Sequence, residues 1–214
     1  MININEYLLS QLNKKEKNII KAHDDDIKRI IKQEIERLGP EANLNHIDVS
    51  EVTNMSELFM CLNSGYPLYR YRYKLSPDIS EWDVSNVKTM TNMFRDCIAF
   101  DSYIGDWDVS NVTSMWNMFC GCDKFNQPIG DWDVSNVKQM HCMFYKARNF
   151  NQDIGNWNVS NVEDMNSMFE GATSFDQDLS KWDVSKVTSL TTKVFLLSKM
   201  DKEHKYSQFP KFNR

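Results

Sequence analysis

The sequence predicts an α/β repeat solenoid, built from short strands and short helices and closed by a helical cap at its N-terminus. Three observations lead there. Tryptophans fall at Trp82, Trp107, Trp132, Trp157 and Trp182, a constant step of 25 residues. The same step links Val84, Val109, Val134, Val159 and Val184, then Met90, Met115, Met140, Met165 and Leu190, then Phe94, Phe119, Phe144 and Phe169. Residues 1–38 carry none of these columns. A fixed period in this range marks a solenoid, in which each unit buries its apolar face only against its neighbours.

Each unit reads I-x-x-W-x-V-S-x-V-x-x-M-x-x-M-F-x5-F. The alternation in W-x-V predicts a short strand, with Trp and Val inward and the Asp between them outward. The V-x-x-M-x-x-M-F segment has helical spacing, as in Val112, Met115, Met118 and Phe119, and predicts one or two turns of α- or 3₁₀-helix. Gly105, Gly130 and Gly155 stand two residues ahead of the strand, with Ser80 and Ser180 in the outer copies, and predict a tight bend. Asp101, Asn126, Asn151 and Asp176 suit turns supported by their own side chains.

With these columns in view, the pattern resembles the BspA-type leucine-rich repeat in its W-D-V-S-N-V-T-x-M-x-x-M-F version. The resemblance covers roughly residues 47–190, about two thirds of the chain. It implies a right-handed, leucine-rich-repeat-like solenoid with a parallel sheet on one face. It also implies a surface or interaction protein, since the family carries no shared catalytic motif.

Three regions follow: an N-terminal helical cap at 1–46, the repeats at 47–190, and a C-terminal cap with a basic tail at 191–214. In the first region Ile27, Ile30, Ile31, Ile35 and Leu38 share one face of a helix that begins near Asp24 to Asp26 and stops at Gly39-Pro40. An earlier helix is expected from about Asn5 to Ile20. Ile47 stands in the Trp column of the first unit, yet Trp82 comes 35 residues later, so that unit carries ten extra residues within 66–78. Insertions in solenoids emerge as loops where binding chemistry often sits. Tyr69, Arg70, Tyr71, Arg72 and Tyr73 are therefore expected either to form a partner-binding projection or to pack on the repeats as a hairpin.

Composition narrows the function. Apolar residues make up 41% and charged residues 26% of the chain, which is ordinary for a folded domain. A net charge of −5 gives no electrostatic reason to expect nucleic-acid binding. No apolar run is long enough to span a membrane. The start lacks a secretory signal, so a cytoplasmic location is expected, or an extracellular one if a signal has been removed. Five cysteines cannot all pair, and reduced thiols are expected.

Candidate chemistry is weighed against the repeat. Asp48, Asp83, Asp108, Asp133 and Asp183, with Asn158, share an outward column about 5 Å from unit to unit. Each accepts bonds from the next turn's backbone, or the column forms an acidic stripe for a basic partner or for loosely held divalent cations. Cys120-Gly-Cys122 and His141-Cys142 invite a zinc site, but Cys122 shares its column with Cys97, Ala147 and Ala172, a small buried position. Cys120 and Cys142 fall in columns read as variable surface. Arg95, Trp116, His141 and Tyr145 also occupy variable columns, where a repeat protein's specificity is expected. No nucleophile elbow, phosphate loop or HExxH motif occurs. The expected function is a non-catalytic, protein-binding repeat module without cofactor or metal. The alternatives are a dedicated inhibitor of phage anti-defence or immunity type, blocking an enzyme or nucleic-acid-guided effector, and an exported surface protein that contacts a host.

Overall fold

The computed structural model describes residues 19–188, 193–203 and 205–211. Its regular elements are β1 (Ile20–Lys21), α1 (Ile27–Leu38), β2 (Ile47–Asp48), a 3₁₀ turn at Tyr69–Tyr71, α2 (Lys199–Lys202) and a second 3₁₀ turn at Tyr206–Gln208. β1 and β2 pair in parallel, Ile20 opposite Ile47 and Lys21 opposite Asp48. The helix expected from about Asn5 to Ile20 lies outside the described residues except at its end, where Ile20 belongs to a strand instead.

Helix α1 buries Ile27, Ile30, Ile31 and Ile35 in the same core as the repeats, while Leu38 stays exposed. Asp26 precedes the helix but accepts a hydrogen bond from the His23 N–H at 2.9 Å instead of capping it. Gly39, at φ 100°, ends the helix and donates its N–H to the Ile35 carbonyl at 2.9 Å. Glu34 is buried on the same face, held by Arg37 and by His46 at 2.9 Å.

The repeats are built differently from the expectation. W-x-V adopts no strand, and V-x-x-M-x-x-M-F forms a chain of turns instead of a helix. The reason is backbone handedness. Asn92, Asn117, Cys142 and Ser167 lie at φ 52–57°, and Asp96, Gly121, Lys146 and Gly171 at φ 56–75°. A left-handed residue at every fourth position cannot continue a right-handed helix. It turns alternate N–H groups along the stack, so Met90, Asn92, Phe94 and Asp96 donate to the carbonyls of Ser114, Trp116, Met118 and Cys120 at 2.7–3.0 Å. The same set recurs in later units, and parallel bridges run Asn54, Thr89, Ser114, Gln139, Asp164. Pairing between units thus falls around the methionine, not at the tryptophan.

The interior is a set of ladders. Phe59, Phe94, Phe119, Phe144, Phe169 and Phe195 stack at 5.3–5.7 Å between ring centres. Phe100, Phe125, Phe150 and Phe175 form a second stack at 5.8–5.9 Å. Each tryptophan of the 25-residue column is buried and donates its indole N–H to a carbonyl of the preceding unit, as Trp132 does to Ile104 at 3.1 Å. A buried indole needs that acceptor, which explains tryptophan in place of phenylalanine.

Of the two turn assignments, one is corrected. The tight bend expected at Gly105 and Gly130 is present, closed by the Trp107 and Trp132 N–H groups on the Ile104 and Ile129 carbonyls at 3.3 Å. A Cβ at either glycine would also meet the carbonyl oxygen of Pro128 or Asp153 at 2.6 or 2.5 Å, so the glycines admit the next unit's backbone as well. Asp101, Asn126 and Asn151 do not close their own turns. They accept the backbone N–H of Asn126, Asn151 and Asp176 in the following unit at 2.8–2.9 Å.

The stacking continues past residue 190. Phe169 and Gly171 donate to the carbonyls of Val194 and Leu196 at 2.8 Å. Phe195 then packs on Phe209 at 4.3 Å, and Lys199 and Lys205 both pair with Asp176. Much of the segment expected as a basic tail is therefore docked.

Candidate interaction surface

Along each ladder segment the inward positions are filled by residues such as Met90, Met93, Phe94 and Cys97, all buried. The positions between them face outward and repeat in four columns. Two of these hold the left-handed residues. The other two run Thr91, Trp116, His141, Asn166 and Arg95, Cys120, Tyr145, Glu170. All four residues expected at variable positions therefore fall on one face. Two neighbours depart from expectation: Cys120 is only 7% exposed, and the column of Cys142 holds Asn117 at 6%. Asparagine fits there because it tolerates left-handed geometry.

Trp116 is 46% exposed. Its ring meets that of His141 edge-on at 5.8 Å, and His141 Nδ1 lies 3.5 Å from Asp164 Oδ2. Arg95 Nε is buried without a hydrogen bond, 3.7 Å from Asp96 Oδ2. Burial pushes the Asp96 carboxyl up, against the pull of Arg95, Lys146 and Arg72. Gly121 makes room for it, since a Cβ there would stand 2.5 Å from Asp96 Oδ1. Lys146 Nζ sits over the Tyr145 ring at 4.9 Å.

The inserted segment is a 3₁₀ turn and not a hairpin. Leu68 and Leu75 anchor it, Tyr71 packs on the core, and Tyr73 is 64% exposed. Arg72 lies between the rings of Tyr69 and Tyr73 at 4.4 and 4.6 Å. Arg70 stacks on Tyr71 at 4.7 Å and reaches Glu36 at 3.1 Å. The Arg72 carbonyl accepts from the Ala99 N–H at 3.3 Å, which brings the segment to the edge of the ladder face.

The aspartate column lies on a separate surface, before the turn at Val84–Val87 that leads into the ladder. Asp83, Asp108 and Asp133 each accept the backbone N–H of the serine two residues on, at 3.0–3.1 Å, and Asn158 does the same at 3.2 Å. The bonds are local, so the expected reach to the next turn's backbone is wrong. Serine hydroxyls, then the serine N–H groups, hold the Asp108 and Asp133 carboxyls below their ordinary value. The inter-unit bond belongs to residues sequence reasoning missed: Asn86, Asn111, Asn136 and Asn161 donate to serine carbonyls of the preceding unit at 2.7–2.9 Å. Their recurrence in S-N-V was the available signal.

All five cysteines are free. Cys97 and Cys122 are buried and donate to the Phe59 and Phe94 carbonyls at 2.8 and 2.9 Å. Burial pushes the Cys120 thiol up to about 12 and that of Cys142 to about 11, so neither is a ready nucleophile. Among the described residues no three His, Cys, Asp or Glu side chains gather where a metal could bind, and no helix is long and apolar enough to cross a membrane. One shallow cleft of about 280 Å³ lies between α1 and the inserted segment, lined by Lys28, Lys32, Leu58, Met60 and Tyr66 among others.

No curated protein and no solved structure matches the chain. The family described as "Mycoplasma protein of unknown function, DUF285" matches over residues 26–145 and again over 99–207, overlapping as a repeated sequence allows. The match is consistent with a BspA-like repeat protein. Together the two matches span most of the residues, and the chain belongs to this family.

Proposed function

We propose that the chain is a non-catalytic, protein-binding repeat module: a right-handed, leucine-rich-repeat-like solenoid with an N-terminal helical cap, recognising its partner through the ladder face. One observation carries the reading. From Thr91 to Asn166 and from Arg95 to Glu170 the backbone bonds recur from unit to unit, while the side chains change in size, charge and chemistry. Apart from Cys120, which is buried, packing does not dictate those side chains, so recognition is free to. Trp116, Arg95 and Tyr145 are residue types that dominate binding energy at interfaces.

A second reading, the dedicated inhibitor, draws on the aspartate column. Asp108 and Asp133 are exposed and held ionised, a pattern suited to a basic channel. Immobilised protein would capture partners from the producing cell beside two variants. Loss of a captured protein with Trp116→Ala plus His141→Ala alone supports the ladder face. Loss with Asp108→Asn plus Asp133→Asn alone supports the inhibitor. Capture indifferent to both pairs, or no capture, overturns both.

A further inference from the structure

The ladder face and the inserted segment meet at one charged corner. Arg95 Nε lies 3.7 Å from Asp96 Oδ2, the Arg72 carbonyl is bonded to the Ala99 N–H three residues on from Asp96, and the charges of Lys146 and Arg72 also act on that carboxylate. The nearby Asp123 is already paired with Arg148. Three cations thus act on one otherwise unengaged carboxylate, leaving a local positive excess in a chain of net charge −5. Two of the three cations are positioned by aromatic rings: Arg72 between Tyr69 and Tyr73, Lys146 over Tyr145. Stacking restrains long side chains before any ligand arrives, so less conformational freedom remains to be lost on binding.

The corner is also bounded. In the next unit Glu170 occupies the column of Arg95 and Tyr145, while Glu57 of the first unit is already paired with Lys28 at 3.4 Å. A long polyanion laid along the stack would cross Glu170, whereas a short anionic stretch would not. Charge and extent together favour a few carboxylates on a peptide over a nucleic-acid strand.

We propose that this corner binds a short acidic segment of the protein partner, its carboxylates taken by Arg72, Arg95 and Lys146. The inference rests on the ladder face being the recognition surface. The test titrates the full chain with a labelled short glutamate-rich peptide, a lysine-rich peptide of equal length, and an oligothymidylate of matching charge. Inorganic phosphate serves as competitor. The glutamate peptide alone is expected to bind, more weakly as salt rises. Lys146→Glu and Arg72→Glu should each weaken it by about tenfold, Lys146→Gln by less, with circular dichroism unchanged. Asp133→Asn should bind as the parent does. Absence of peptide binding, binding untouched by the charge reversals, tighter binding of the oligothymidylate, or displacement by phosphate at matched concentration each overturns the inference. A captured partner that depends on Trp116 and His141, beside a peptide that ignores Lys146, overturns the corner and leaves the ladder face standing. The reverse pattern removes the ladder face and leaves the corner.

Discussion

Two outward surfaces run along the same stack and differ in kind. On one, Asp48, Asp83, Asp108, Asp133, Asn158 and Asp183 hardly vary; on the other, Thr91, Trp116, His141 and Asn166 share almost nothing. The first is uniform because the backbone uses it. Each Asp or Asn there accepts from a serine two residues on, and Asn86, Asn111, Asn136 and Asn161 tie the units together. On the second, the recurring bonds between units run from backbone to backbone, and side-chain bonds such as Thr91 to Ser114 at 2.9 Å are made by single units without recurring down the column. An invariant exposed residue can therefore be as structural as a buried one, and variation on a fixed backbone marks the surface left free.

The interior sets the upper end of the scale against which both surfaces can be tested. Phe119→Ala removes a ring stacked on Phe94, Phe125 and Phe144 and should cost about 3–5 kcal/mol in urea unfolding. Trp132→Phe keeps most of the apolar area but loses the indole bond to the Ile104 carbonyl, which retains the Trp107 N–H at 3.3 Å, so a cost of about 1 kcal/mol is expected by the same measurement. On the uniform surface, Asn136→Ala loses the bond to the Ser110 carbonyl, and a cost near 1 kcal/mol is expected. Asp133→Asn and Trp116→Ala should both stay within about 0.5 kcal/mol, the first because Asn158 already closes the same turn. A large loss from Trp116→Ala would break the comparison, since it would make the varied face structural too.

Acid also separates the regions. Arg37, then His46, lowers the Glu34 carboxyl, Lys205 and Lys199 lower Asp176, and serines lower Asp108 and Asp133. A carboxyl lowered by folding contributes stability that is complete above its unfolded value, near 4, and lost as pH falls through its folded value. Asp96, raised by burial, has the opposite sign: it disfavours the fold above its unfolded value and ceases to do so when protonated. The lowered groups outnumber it, so melting temperature should fall below about pH 4. Arg37→Ala should reduce that dependence; an unchanged pH profile would remove Glu34 from the explanation.

The interior columns were legible because burial forces the same residue types to recur at the same step. The turn geometry was not, because a spacing of three and four residues arises equally from a helix and from turns broken by left-handed residues. Asn92 and Asn117, with Gly121 and Gly171, carried the clue. On α1 the isoleucine face was readable, while Glu34 was hidden by its charge, although Arg37 stands three residues on as its partner. Arg95, Trp116, His141 and Tyr145 could be picked out from the repeat alone; the approach of Arg72 to the carboxylate that Arg95 pairs with could not, since it depends on how the insertion folds back.

The decisive measurement is saturation substitution of residues 79–178, scored in parallel for folded yield and for partner capture. The columns of Trp132, Phe119 and Asn136 should tolerate little in folded yield. Trp116, His141, Arg95 and Tyr145 should accept most residues in yield and few in capture. A ladder face as intolerant in yield as the interior, or as indifferent in capture as the aspartate column, would contradict its assignment to recognition.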